Sequence, residues 1–168
     1  MENLFFLLAT SFVLRLSTSR KFKSYFIGNT GCSALMFTNN FKKTITPSGD
    51  EFFFNEFSEK NVTYGIICIK LKQEFEIFET AEMLTKYINK LRAPYFILHN
   101  TGLSETKDWN HLSSIVMEDY WQDGDQQDWK VKGYADGSTM AILYVKNIGR
   151  VEVKKQDFFL DGFHFKAA

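Results

Sequence analysis

Three runs of strand-forming residues, separated by two Asp-Gly pairs, occupy the C-terminal half of the chain. The runs cover residues 113–121, 128–134 and 139–145, and the pairs Asp123-Gly124 and Asp136-Gly137 lie between them. Asp-Gly is favoured in tight hairpins, because glycine adopts positive φ without steric cost and aspartate tolerates it. The pattern therefore predicts an antiparallel β-meander.

Three further strands are predicted in the N-terminal half, over residues 32–38, 51–57 and 62–71, with a polar loop between the first two. Residues 62–71 and 139–145 are apolar at both sets of alternating positions. A sheet with one solvent-exposed face would show regular alternation of polar and apolar residues there. We therefore expect both segments to be central strands that are covered on both faces.

Two helices are predicted between and after the strands. Residues 80–92 carry a single apolar stripe at helical spacing, Thr80 is positioned to cap the N-terminus, and Pro94 ends the helix. A second helix is expected over residues 150–160, and an aromatic strand follows it.

The element order predicts an α+β domain in which helices pack on the faces of an antiparallel sheet of six to seven strands. A chain of 168 residues can bury roughly two-thirds of its unfolded surface in one core. We expect a single domain over residues 24–168.

An apolar run over residues 4–14 precedes this domain. It has the length of a signal-peptide core and is far short of the roughly 20 residues of a membrane-spanning helix. Ser17 and Ser19 offer a cleavage region, although the usual positive residues before the run are missing. We expect residues 1–23 to be a signal peptide or apolar leader, so that the mature chain has no transmembrane helix.

This interpretation places the protein in the periplasm or cell envelope. The alternative is that the run is a buried first element of the domain, in which case the protein is cytoplasmic.

Composition narrows the classes of partner. Eighteen Phe and only two Pro argue for a packed interior and against a disordered chain. Lys plus Arg equals Asp plus Glu at 20 each, so net charge provides no attraction to nucleic acid. We expect no nucleic-acid partner.

The two cysteines, Cys32 and Cys68, are too few for a disulfide scaffold or a structural zinc site. If the first three strands form one meander, the middle strand separates the two by roughly 9–10 Å, whereas a bridge needs Cα atoms within about 7 Å. We predict two buried free thiols, and a bridge would imply a different strand order.

The element order and the ending LDGFHF (residues 160–165) resemble the PsbP-like and DcrB-like α/β/α sandwich domains. The segments VTYGIICIKL (62–71) and DWKVKGY (128–134) are similar to those of uncharacterised exported bacterial proteins with this layout. The resemblance covers roughly residues 25–165. It implies an extracytoplasmic accessory or binding domain of a group that is usually without enzymatic activity. We expect no cofactor.

A long loop over residues 99–112 carries candidate chemistry. His99, Glu105, Asp108 and His111 are the residue types of a metal site or an acid–base pair. The two histidines are not spaced for one helix face, and no known catalytic motif is matched. A solvated loop is the simpler interpretation, and a hydrolase or metal-dependent enzyme is the alternative.

Aromatic and acidic residues flank the first Asp-Gly hairpin: Tyr120, Trp121, Asp123, Asp125 and Trp129. If exposed, they would form a binding surface for a protein or glycan partner. The competing interpretation is that the aromatic side chains pack in the core. An immunity or inhibitor protein is a further alternative, and it requires an exposed acidic and aromatic patch over residues 121–128.

The same acids suggest calcium at first sight. An EF-hand loop that starts at Asp119 places Trp121 and Lys130 at positions that need oxygen ligands, so the match fails. We therefore predict no metal site here.

Overall fold

The computed structural model describes residues 21–107, 114–147 and 153–166. Within them lie two helices, α1 (Ile77–Leu91) and α2 (Val153–Leu160). The strands of the same ranges are β1 (Lys23–Phe26), β2 (Ser33–Met36), β3 (Lys42–Ile45), β4 (Glu51–Glu59), β5 (Val62–Lys70), β6 (Ile97–Asn100), β7 (Ser104–Lys107), β8 (Ile115–Asp123), β9 (Asp128–Ala135), β10 (Thr139–Lys146) and β11 (Phe163–His164).

The main sheet has eight strands in the order β3-β4-β5-β10-β9-β8-β6, and β7 pairs with a separate stretch of β8. Strands β1, β2 and β11 form a second, three-stranded sheet. The α+β prediction is confirmed, but the sheet is larger than the predicted six to seven strands. The missed strands β3 and β7 have four residues each and lie in segments with polar sequence, where alternation is too short to recognise. Strand β6 overlaps residues 95–98, which the sequence marks as either a short strand or the exit of the helix.

The predicted central strands are confirmed. Strands β5 and β10 are neighbours in the middle of the main sheet and pair from Thr63 with Lys146 to Lys70 with Thr139. Most residues of both strands are buried, and the others are half-buried. Their two-sided apolar pattern follows from layers that cover both faces.

The two faces are covered differently. Helix α1 covers one face, where Leu84 and Ile88 pack against Gly133. Their methyl groups occupy the space that a side chain at Gly133 would need. The other face is covered by α2 and the three-stranded sheet, with Phe159 and Met36 in one core with Tyr64. A helix therefore packs on each face, as expected, and on this second face the three-stranded sheet forms part of the covering layer.

The start of α1 also differs from the prediction. The helix begins at Ile77, and the carboxylate of Glu79 accepts the backbone N–H of Glu76 at 3.2 Å. Thr80 is fully buried inside the first turn, and its hydroxyl donates to the carbonyl of Glu76 at 3.2 Å. It is a core residue and not the cap.

Both Asp-Gly hairpins are present, but the aspartates act differently from the expectation. The Asp123 carboxylate accepts the backbone N–H groups of Asp125 and Gln127 at 3.0 and 2.9 Å, and the Asp136 carboxylate accepts that of Thr139 at 2.6 Å. Positive φ in the first turn falls on Gln126 and not on the glycine. Side-chain hydrogen bonds therefore hold these turns.

The prediction of two buried free thiols is confirmed, but the strand order on which it was based is wrong. Cys32 and Cys68 are buried and free. However, β2 belongs to the second sheet, so the first three predicted strands do not form one meander. Cys32 and Cys68 lie in facing layers.

Among the described residues, no helix has the length and apolarity needed to cross a bilayer.

Candidate functional site

Three buried aromatic rings and one half-buried ring lie at the end of the main sheet near the C-terminus of α1. The Trp129 ring centroid is 5.0 Å from that of Tyr95, 5.5 Å from that of Tyr144 and 6.2 Å from that of Trp121. These spacings are typical of favourable ring pairs. We call the four rings, with the carboxylates that bind them, the aromatic–carboxylate cluster.

Each of three rings donates a hydrogen bond to its own carboxylate. Trp121 Nε1 donates to Asp119 at 2.6 Å and Trp129 Nε1 donates to Asp123 at 3.0 Å. The Tyr144 hydroxyl donates to Glu56. Asp119, Trp121 and Asp123 come together because alternate residues of β8 share one face.

Two cations balance the buried aspartates. Arg92, at the C-terminal cap of α1, places Nη2 2.7 Å from Asp119 Oδ2. Lys146 Nζ lies 3.0 Å from Asp123 Oδ2 and 4.9 Å from the centroid of the Trp129 ring. The charge of each buried carboxylate is therefore compensated locally, as burial requires.

The environment of the cluster shifts its titrating groups. Burial opposes ionisation of Asp123, but the N–H of Gln127, the Trp129 indole and the Lys146 ammonium outweigh it and hold its pKa below the ordinary value. Burial raises the pKa of Tyr144 well above the ordinary value, and the neighbouring Tyr95 and Glu56 raise it further. Burial also raises the pKa of Tyr95. At neutral pH both tyrosines are neutral donors.

The shift at Asp123 predicts acid sensitivity. A carboxyl group with a lowered folded-state pKa stabilises the protein above its unfolded pKa of about 4, and this contribution is lost as pH falls through the folded value. We expect Asp123→Asn to lower the free energy of unfolding at pH 7, and the deficit should shrink between about pH 5 and pH 3. Urea titrations across this range measure it.

Asp125→Asn is the matched control, because this carboxylate lies in the same turn but is exposed. It should change the free energy of unfolding little at any of these pH values. A deficit for Asp123→Asn that stayed constant from pH 7 to pH 3 would contradict the assignment.

An exposed patch lies next to the cluster, formed by the start of β6 with the residue before it, by β8 and by the turn that follows β8. Phe96 is 76% exposed, Leu98 66% and Tyr120 45%, and Asp125 is also exposed. We call these four residues the edge patch. Ile97, between the first two, packs into the same core as Trp121 and fixes the strand to the cluster.

Backbone contacts bring the edge patch together. The Gly124 N–H donates to the Phe96 carbonyl at 3.0 Å, which holds the turn carrying Asp125 beside Phe96. A register shift in β6 leaves Leu98 as an extra residue between two paired positions. The Thr101 N–H donates to the Tyr120 carbonyl at 3.0 Å, so the pairing between β6 and β8 extends one residue further, to Tyr120.

Phe96 has a backbone conformation that a bulky residue rarely adopts. Its φ is +53°, in the left-handed region, and its side chain is the most exposed of the large apolar residues that the structure describes. Such a conformation costs about 1–3 kcal/mol. Neither the backbone strain nor the exposed ring benefits folding.

The structure divides the five predicted site residues into two groups. Tyr120 and Asp125 lie on the surface, whereas Trp121, Asp123 and Trp129 are buried. A surface that includes all five is therefore wrong, and the core-packing interpretation holds for the two tryptophans. Sequence reasoning missed Phe96 and Leu98, because neither belongs to a motif.

The candidate enzymatic loop is described only in part. His99 lies exposed on β6 and Glu105 lies exposed on β7. Asp108 and His111 fall outside the described residues, so whether they converge on His99 stays a prediction. Within residues 21–107, 114–147 and 153–166, no group of three or more His, Cys, Asp or Glu side chains is arranged to hold a metal ion.

No protein-family model matches the chain, and no curated protein is similar to it.

Proposed function

We propose that this protein is a non-enzymatic binding domain that recognises a partner protein through the edge patch. The observation that carries the proposal is Phe96, where a strained backbone holds a large apolar side chain out in solvent. Strain of this kind is retained where it serves function. Exposed apolar side chains grouped at one edge are typical of interaction surfaces.

The buried cluster supports the patch without offering reactive groups of its own. Asp119 and Asp123 are each paired with a cation and an indole N–H, and the two tyrosine hydroxyls lie 3.1 Å apart. These contacts occupy the groups that an acid–base mechanism would need to be free. The cluster instead makes a rigid base for β6 and the β8–β9 turn.

The chemistry of the patch favours a protein over a glycan. Phe96 and Leu98 provide apolar area without hydrogen-bonding groups, and Tyr120 adds an aromatic ring with a hydroxyl. Aromatic anchors of this kind carry much of the energy of protein–protein interfaces. Asp125 and Asp128 are exposed beside them, which favours a partner segment with apolar and basic side chains.

Photo-crosslinking tests the proposal without knowledge of the partner. The photoreactive residue p-benzoylphenylalanine replaces Phe96 in one variant and Phe78 in the other, and the cells of origin are irradiated. Phe78 is the matched control, because it is a similarly exposed phenylalanine on α1. We expect one discrete protein adduct at position 96 only.

Adducts of equal yield at both positions, or none at position 96, would reject the proposal. A carbohydrate adduct at position 96 would assign the patch to a glycan and contradict the preference for a protein.

Phe96→Gly separates binding from stability. Glycine adopts positive φ freely, and no buried contact is lost, so we expect the free energy of unfolding to rise by about 1 kcal/mol while crosslinking from a probe at Leu98 disappears. Phe78→Gly should instead lower the free energy of unfolding by about 1 kcal/mol, because it places glycine inside a helix. Urea denaturation measures both, and a loss of stability in Phe96→Gly would show that the ring supports the fold.

Location is part of the same proposal. The apolar run at the N-terminus and the resemblance to PsbP-like and DcrB-like exported domains support a protein of the periplasm or cell envelope. Mass spectrometry of the protein from its native host determines the mature N-terminus. An intact N-terminus in soluble cytoplasmic protein would reject export while leaving the edge patch to be judged by crosslinking.

A further inference from the structure

The two thiols lie in the interface between the second sheet and the main sheet. Cys32 is 1% exposed and directly precedes β2, and Cys68 is fully buried in β5. Both belong to the core that also contains Tyr64 and Ile66, on the face opposite to α1. Although they come from different sheets, they therefore face the same apolar interior.

The β1–β2 loop rests on the part of the main sheet that contains Cys68. A Cβ atom on Gly28 would lie 2.2 Å from Cε1 of Phe53, so the loop backbone touches that ring. Phe53 is the cross-strand partner of Cys68. The loop is closed by a hydrogen bond from the Ile27 N–H to the Cys32 carbonyl at 2.9 Å, which places Cys32 over this region.

Cys32 also lies near the strand that pairs with Cys68. Burial raises the pKa of the Cys32 thiol, and the nearby hydroxyls of Thr30 and Thr139 act against this rise. Thr139 pairs with Lys70, and Ala141 pairs with Cys68, so Thr139 is a diagonal neighbour of Cys68 on one face of the sheet. Diagonal neighbours of this kind lie within about 7–8 Å of each other.

We propose that Cys32 and Cys68 form a redox pair, whose disulfide links the two sheets when the protein meets a disulfide oxidant. One thiolate attacks the oxidant and forms a mixed disulfide, and the other thiolate then displaces the remaining thiol of the oxidant. The two cysteines lose two protons and two electrons, and one disulfide of oxidised glutathione becomes two thiols. The proposal is independent of the edge patch.

The surroundings of the pair predict slow oxidation of the folded protein. Burial raises the pKa of Cys32, and it raises that of Cys68 further, with the charge of Cys32 as a second cause. Thiolate is the attacking species, so a raised pKa and burial both slow exchange. The bond should form readily while the chain folds in an oxidising compartment and slowly after folding is complete.

The test compares the full chain refolded from denaturant with a glutathione redox buffer and with dithiothreitol. Refolding removes the barrier of burial, so a negative result cannot come from poor access. N-ethylmaleimide labelling under denaturing conditions, followed by intact mass measurement, counts the free thiols. Peptide mapping then identifies the linked residues.

We expect no free thiol and a linked peptide pair after oxidative refolding, and two free thiols after reductive refolding. The bond closes a loop of roughly 35 residues, so the melting temperature of the oxidised form should be higher by about 10 °C, and dithiothreitol should reverse the gain. Cys68→Ala, refolded in the same way, should show no reversible gain.

Two results would overturn the proposal. Two free thiols after refolding in the glutathione buffer would show that the folded geometry cannot hold the bond. A glutathione adduct that persists on Cys32 without an internal link would show that Cys68 is out of its reach.

Discussion

Asp119→Ala is expected to lower the free energy of unfolding by about 3–5 kcal/mol, because it removes the fully buried partner of a partly buried ion pair and leaves its hydrogen-bond donors unpaired. The carboxylate is fully buried and binds three groups from three elements. It accepts the Trp121 indole at 2.6 Å, the Thr101 hydroxyl at 3.1 Å and the Arg92 guanidinium at 2.7 Å. Without it, a positive charge and an indole N–H lose their acceptor inside the protein, and urea denaturation measures the loss.

Asp125→Ala is the matched control for this change. It removes the same side chain from an exposed position close to the same hairpin, so the free energy of unfolding should change by less than about 0.5 kcal/mol. Equal effects of the two substitutions would contradict the role given to the cluster. The isosteric Asp119→Asn keeps an acceptor for the indole and should fall between them.

Gly65→Ala is expected to be the second large perturbation, at about 3 kcal/mol of lost stability. A Cβ atom at this position would lie 2.1 Å from Cζ of Tyr144, so the tyrosine ring lies directly on the glycine backbone. The ring cannot move aside at low cost, because it is buried, packs against Trp129 and donates to Glu56. The substitution must therefore displace the ring and break this hydrogen bond.

Gly124→Ala serves as its control. Its added methyl group would meet only the Phe96 carbonyl oxygen, at 3.9 Å, and its backbone does not require positive φ. Thermal denaturation should show little change for Gly124→Ala and a large drop in melting temperature for Gly65→Ala. Comparable melting temperatures for the two would show that Tyr144 has room to relax.

Much of the fold was predictable, because the long elements carry strong periodic patterns. Strands β5 and β10 carry apolar residues on both of their alternating faces because both faces are covered, and this pattern is visible without coordinates. The meander of β8, β9 and β10 was predictable from strand composition and turn residues. Helix α1 was predictable from its apolar stripe, within three residues at its start.

The second sheet was not predictable from the same signals. Strand β2 has an ordinary strand sequence, and nothing local states whether it pairs with β4 or with the distant β11. Pairing between positions far apart in sequence is decided by which arrangement buries the most apolar surface. For this reason the single meander that the cysteine prediction assumed is wrong.

The candidate site was predictable only in its location. The sequence pointed to the hairpin between β8 and β9, where Tyr120 and Asp125 are exposed. The alternation of Trp129 and Val131 with two lysines correctly placed Trp129 inward, whereas the burial of Trp121 stayed open. Nothing in the sequence indicated Phe96, because exposure and positive φ depend on how the segment after α1 meets the turn after β8.

The sequence by itself therefore determined the α+β class, the central strands, the hairpins and the main helix, because each depends on the spacing of neighbouring residues. The tertiary structure alone decided which layer holds β2, that Trp121 is buried and which partner each buried charge finds. Arg92 and Asp119, for example, are 27 positions apart and meet only when the end of α1 packs over β8. Contacts of this kind follow from the packing of whole elements, which local spacing does not specify.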